Sequence, residues 1–208
     1  RSYGAAIVRL ARTAQHGGAL RFVVGSELKS RVPHTWRWRS LIEQTRAVFS
    51  GSLTYSANWD NYLAVNFWEE LDVISVNAYW PLTDTMQPSE EALMLAWEGL
   101  RSELLGYVSY AAKPLHFSEV GYRSDAFAAR IPWLHQSNAP VDLPLQARCY
   151  RAFYGTWNNW AGVGGVFFWE FFESGGPAHP GFSPRNKPAE DVIRRWYRIE
   201  SSPFSFEE

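Results

Sequence analysis

Apolar positions along the chain switch repeatedly between a helical and a strand period, with little between the switches. Tyr3 to Gln15 places Ala6, Ile7, Leu10, Ala11 and Ala14 at three- and four-residue spacing, which predicts a helix, and Gly17-Gly18 suit its C-terminus. Ala19 to Glu27 then runs Leu-Arg-Phe-Val-Val before turning polar, as a parallel strand buried on both faces does. The same unit recurs: helix over Trp36 to Phe49, strand over Leu53 to Trp59, short helix over Tyr62 to Leu71, strand over Val73 to Trp80. A long helix over Ser89 to Ala112 opens on acidic residues that favour the positive end of its dipole. Strands over Leu115 to Gly121 and Val163 to Glu170, and helices over Leu143 to Ala161 and Ala189 to Arg198, complete the pattern.

Five strands, each followed by a helix, predict the α/β class with a parallel sheet, either doubly wound or a (β/α)8 TIM barrel. No glycine fingerprint for a dinucleotide or phosphate joins a strand to a helix; Gly162, Gly164 and Gly165 precede or begin a strand instead. Polar and aromatic residues gather at the strand C-terminal ends: Glu27, Asn58 with Trp59, Asn77 with Tyr79 and Trp80, Glu119, and Trp169 with Glu170. In a barrel those ends share one mouth, where active sites form, and this favours the barrel.

Composition narrows the chemistry. With 208 residues, 46% of them hydrophobic, the chain can bury a sizeable core in one domain. Lys and Arg number 20 against 21 Asp and Glu, so no overall field draws nucleic acid or an anionic membrane, and neither partner is expected. The single cysteine, Cys149, excludes an intramolecular disulfide and a thiolate metal site, and the five histidines lack metal-ligand spacing. No metal and no cofactor are expected. No apolar run reaches the roughly 18 residues of a membrane span. The start at Arg1, within a helical pattern and without a secretion signal, reads as that of a processed or truncated piece. The unusual feature is aromatic: 11 Trp, 10 Tyr and 13 Phe exceed what a core of this size needs, so some rings are expected to meet a flat, partly apolar ligand.

Glu27 and Glu119 end apolar strands three units apart, which sets them across a barrel mouth. A retaining glycosidase needs two carboxyl groups about 5–5.5 Å apart on opposite sides of the scissile bond. Small flanks, Gly25-Ser26 before the first and Gly121 after the second, predict room for a substrate. The alternative for each Glu is a salt-bridged or solvated strand end. Trp59, Trp80 and Trp169 are candidate platforms for pyranose rings. Asn58 and Asn77 bond either sugar hydroxyls or strand-end backbone. Tyr79 either bonds Glu119 or packs under a loop. Trp36, Trp38, Trp68, Trp97, Trp133, Trp157, Trp160 and Trp196 are expected to pack around helices and loops.

The stretches Phe22-Val-Val-Gly-Ser-Glu-Leu-Lys-Ser30, Leu53-Thr-Tyr-Ser-Ala-Asn-Trp-Asp60, Phe67-Trp-Glu-Glu-Leu-Asp-Val-Ile-Ser-Val-Asn-Ala-Tyr-Trp-Pro-Leu82, Phe117-Ser-Glu-Val-Gly-Tyr-Arg-Ser124 and Lys187-Pro-Ala-Glu190 resemble glycoside hydrolase family 113. The resemblance runs over nearly the whole chain. It implies strands 4 to 8 of a (β/α)8 barrel, so that residues 1–208 form a single barrel domain lacking three N-terminal βα units. It also implies retaining cleavage of β-mannan or a related β-linked polysaccharide, with Glu27 as acid/base, Glu119 as nucleophile and Trp169 as a sugar-stacking ring. Ser26 stands where the wider clan commonly has an Asn that bonds the sugar 2-hydroxyl. The competing expectation is an inactive barrel that binds glycan or serves a structural role, as in phage-tail-like or gene-transfer-agent proteins. A secreted or cell-envelope location fits either.

Overall fold

A computed structural model describes residues 2–158, 162–173 and 175–200. Its elements run α1 (Tyr3–His16), β1 (Arg21–Ser26), α2 (Thr35–Arg46), β2 (Ser52–Asn58), β3 (Val73–Asn77), α3 (Glu90–Ala111), β4 (Leu115–Val120), α4 (Leu143–Trp157), β5 (Val163–Phe168) and α5 (Pro188–Glu200). The five strands form one sheet in the order β1-β2-β3-β4-β5. Successive pairs from β1 to β4 are parallel. A doubly wound sheet must reverse its strand order at a switch point, and this order contains no reversal. Chain-order parallel strands, with an α-helix after each of β1, β3, β4 and β5, are the arrangement of a (β/α)8 barrel, represented in this chain by five strands.

The expected helix over Tyr62 to Leu71 is instead two three-residue 3-10 turns, Tyr62–Ala64 and Trp68–Glu70. Val65 between them is extended, and the Trp68 indole N–H donates to the Tyr62 carbonyl at 3.0 Å, taking an acceptor that a continuous helix would use. Strands end earlier than the apolar pattern suggests. β1 stops at Ser26, β3 at Asn77 and β5 at Phe168, so Glu27, Tyr79, Trp80 and Trp169 lie just beyond them.

Contacts within the chain group it into two compact units. The first comprises Arg1–Ala78, Leu105–Glu119 and Ala161–Phe167. In its core Trp38 stacks on Phe67 at 5.1 Å, and Tyr55 meets both rings edge-on. Between its strands Thr54 Oγ1 lies 2.8 Å from both the Val73 carbonyl, which accepts its proton, and Ser75 Oγ, so these buried hydroxyls are bonded. Arg21 reaches His116 Nδ1 at 2.7 Å, and Gly164 and Gly165 leave the space that the imidazole fills.

The second unit comprises Tyr79–Leu104, Val120–Trp160 and Phe168–Glu208. Trp97 is its centre: Phe153 and Trp157 pack edge-on to it, and its indole N–H donates to the Tyr122 hydroxyl at 3.2 Å. Trp196 stacks on Phe153. Trp38, Trp68, Trp97, Trp157 and Trp196 are therefore core rings, whereas Trp36 is exposed under the Arg37 guanidinium. Trp160 lies outside the described residues.

Candidate active site

Parallel strands deliver their C-terminal residues to one edge, and β1, β3 and β4 of the first unit bring three polar residues together there. Asn77, the last residue of β3, is opposite Asn58 on β2 and Glu119 on β4. Its side chain is 0% exposed. The Asn77 Nδ2 donates to Glu27 Oε1 at 2.8 Å, and the Ser118 hydroxyl donates to Asn77 Oδ1 at 2.7 Å. The backbone continues the same connection, with the Ala78 N–H donating to the Glu119 carbonyl at 2.7 Å.

Both carboxylate-bearing strands lose regular register just before the carboxylate. Along β4, Val76 pairs with Phe117 but Asn77 pairs with Glu119, so Ser118 is an extra residue. Along β1 the register slips between Val23 and Ser26. An inserted residue re-aims the side chains that follow, which is why bulges gather at active sites. In β4 the bulge lets Ser118 reach Asn77. Glu27 adds a second device: its N–H still bonds the Ser56 carbonyl at 2.9 Å, but its φ is +54°, in the left-handed region that non-glycine residues avoid. Strain of this kind persists where the surroundings enforce it, and it marks candidate functional positions.

Packing within the protein accounts for the two flanking glycines. A Cβ on Gly25 would come within 2.8 Å of the Trp38 ring and 2.9 Å of the Tyr3 hydroxyl. In the second unit, a Cβ on Gly121 would meet the Trp169 carbonyl oxygen at 2.1 Å. The room expected for substrate at these positions is filled by aromatic rings and backbone.

Burial pushes the Tyr55 hydroxyl up to about 12, the charges of Tyr3 and Glu27 add to the effect, and a bond with the Leu28 backbone opposes it. Tyr55 is therefore a neutral neighbour. Lys29 pairs with Asp60 at 2.6 Å on the surface. Asn58 Oδ1 accepts the Trp59 N–H at 3.0 Å, so this amide satisfies backbone at its strand end; the Trp59 ring itself is half-exposed. Ser26 is exposed at the end of β1. Among the described residues no group of three or more His, Cys, Asp or Glu is gathered for a metal ion.

In the second unit, Tyr79 is buried edge-on to Phe182, and Trp80 is buried edge-on to Trp97. Trp169 keeps 36% of its surface exposed, and its N–H donates to the Val120 carbonyl at 2.8 Å. The following peptide bond, to Glu170, is cis. Burial raises the Glu170 carboxyl, against the opposing charge of His135. Of the sequence candidates, the first unit thus joins Glu27 and Asn77 directly and sets Glu119 opposite Asn77. Ser118 was missed, because a serine inside a strand carries no signal until the bulge is known.

A family model described as Glycoside Hydrolase Family 113 matches residues 1–183. Among solved structures, a complex of a family 113 β-1,4-mannanase is similar at TM-score 0.84 and 26% identity, covering 95% of this chain and 62% of that one. A family 113 β-mannanase from Alicyclobacillus acidocaldarius, in complex with ManMIm, is similar at TM-score 0.83 and 29% identity, covering 95% and 61%. The chain thus spans less than two thirds of the length of these structures. A β-glucuronidase from Faecalibacterium prausnitzii, at 16% identity and TM-score 0.67 over 95% of this chain and 34% of that one, shares the fold. No curated protein matches the sequence.

Proposed function

Because the chain belongs to glycoside hydrolase family 113, we propose that it takes part in retaining hydrolysis of a β-linked mannan or manno-oligosaccharide through Glu27 and Glu119. The observation that carries this reading is the Glu27–Asn77 bond together with the register that sets Glu119 opposite the same asparagine. Two carboxyl groups at the C-terminal ends of strands in one parallel sheet, with β2 and β3 between them, are the equipment of double displacement. Glu119, ionised, attacks the anomeric carbon while Glu27 gives its proton to the departing glycosidic oxygen, leaving a glycosyl ester on Glu119. Glu27, now a carboxylate, takes a proton from water as the water oxygen attacks the anomeric carbon, and the ester bond breaks with net retention. Trp59 and Trp169 keep ring surface exposed, and these rings stack on pyranose C–H faces. The carbohydrate is the proposed partner; similarity to the family 113 mannanases supports the choice of sugar.

The test is hydrolysis of manno-oligosaccharides by the full chain beside Glu27→Gln and Glu119→Gln, with the anomer of the first product followed by proton NMR. Each substitution keeps shape and removes acid–base or nucleophilic capacity, so turnover should fall by roughly 10²–10⁴. The first product should be the β-anomer. Equal activity in all three proteins would rule out this pair, and a first-formed α-anomer would rule out retention.

A further inference from the structure

Asn77 is buried and has a protein partner at each end of its amide, Glu27 at one and Ser118 at the other. An amide offers an acceptor at one end and donors at the other. Ser118 donates to Oδ1 at 2.7 Å, and the opposite end, Nδ2, lies 2.8 Å from Glu27 Oε1. Reversing the amide would set Oδ1 against the carboxylate oxygen, two acceptors facing each other with the asparagine buried, which is an unfavourable arrangement. The Nδ2–H bond to Oε1, by contrast, can persist through both halves of the reaction, since Oε1 accepts whether Glu27 is ionised or carries its proton on the other oxygen.

We propose that Asn77 is a positioning residue that occupies Glu27 Oε1, so that Oε2 alone carries the proton between the leaving glycosidic oxygen and water, and that Ser118 sets the direction of its amide. The assignment rests on the reading of Glu27 as acid/base. In the first half-reaction the Oε2–H bond breaks as the proton passes to the glycosidic oxygen. In the second, Oε2 takes a proton from water. Ser118 acts only through Asn77, and its bulged position in β4 makes that contact possible.

Two measurements on the full chain test this. In a ¹⁵N-labelled sample, one Nδ2 proton of Asn77 should be shifted downfield and exchange slowly, and Glu27→Ala and Ser118→Ala should each abolish that signature. An Asn77 signal unchanged in Glu27→Ala would overturn the proposal without any reference to activity. In kinetics, Asn77→Ala and Ser118→Ala should lower kcat on a manno-oligosaccharide by roughly 10–100-fold, while a dinitrophenyl β-mannoside, whose leaving group needs no proton, loses less than about threefold. KM should stay within about twofold, and Ser118→Thr, which keeps the hydroxyl, should restore turnover on the oligosaccharide. Equal losses on both substrates would mean a merely structural role and overturn the proposal. If the parent chain hydrolyses neither substrate, the two-carboxylate reading fails by itself, and the amide spectrum decides whether Asn77 holds Glu27.

Discussion

Glu27 combines a carboxylate with a backbone conformation that suits glycine. A side chain at φ +54° costs about 1 kcal/mol or more relative to glycine, so Glu27→Gly should unfold at higher temperature than Glu27→Ala, by about 1 kcal/mol, although both lose the bond from Asn77. Thermal unfolding of the two variants checks this; a less stable glycine variant would show that the turn is not strained. His116 gives a pH dependence. The ring is 2% exposed, and burial first, then the Arg21 charge, lower it from 6.5 to about 4. The fold therefore holds His116 neutral, and the unfolded chain binds the extra proton between those two values. This contribution to stability is fully present above pH about 6.5 and is lost as the pH falls toward about 4, amounting to about 3 kcal/mol. Unfolding midpoints measured across that range should fall steeply, and His116→Gln should flatten the curve.

At the scale of the elements, the alternation of helix and strand was legible because each period repeats over enough residues to stand out. What followed the strands was not. The bulges before Glu27 and Glu119 each hinge on register with a neighbouring strand, which a one-dimensional pattern does not contain. Glycines gave the one available hint, and their meaning reversed: Gly25 and Gly121 admit the protein's own rings and backbone. Gly121→Ala would force the ends of β4 and β5 apart against the Trp169 carbonyl, and about 3 kcal/mol of stability should be lost in chemical denaturation. A second device ties the segments that follow those strands. Lys187, buried without a carboxylate among its hydrogen-bond acceptors, donates to Ser124 Oγ at 2.9 Å and to the Gly181 carbonyl at 3.2 Å. Burial lowers its ammonium to about 8, so the folded state binds fewer protons than the unfolded one between about 8 and 10.5. Stability should rise with pH over that interval, and Lys187→Met should remove the rise.

Over the 208 residues, a net charge of −1 leaves little long-range field, and the proposed ligand, a neutral glycan, offers none for it to act on. Substrate KM should therefore change less than about twofold between roughly 50 and 500 mM salt, whereas a steep dependence would point to an acidic polymer as the true ligand. The sequence by itself determined the parallel βα architecture and the pair of strand-end glutamates, because strand period, helix period and strand termini are local properties of the chain. It also separated most packing tryptophans from those at strand ends. Only the tertiary structure decided that Asn77 bonds Glu27, that Ser118 bonds Asn77, and that Trp80 packs on Trp97. The reason is geometric: a side chain's partner is chosen by register across strands, and one inserted residue, as at Ser118, changes which side chains meet.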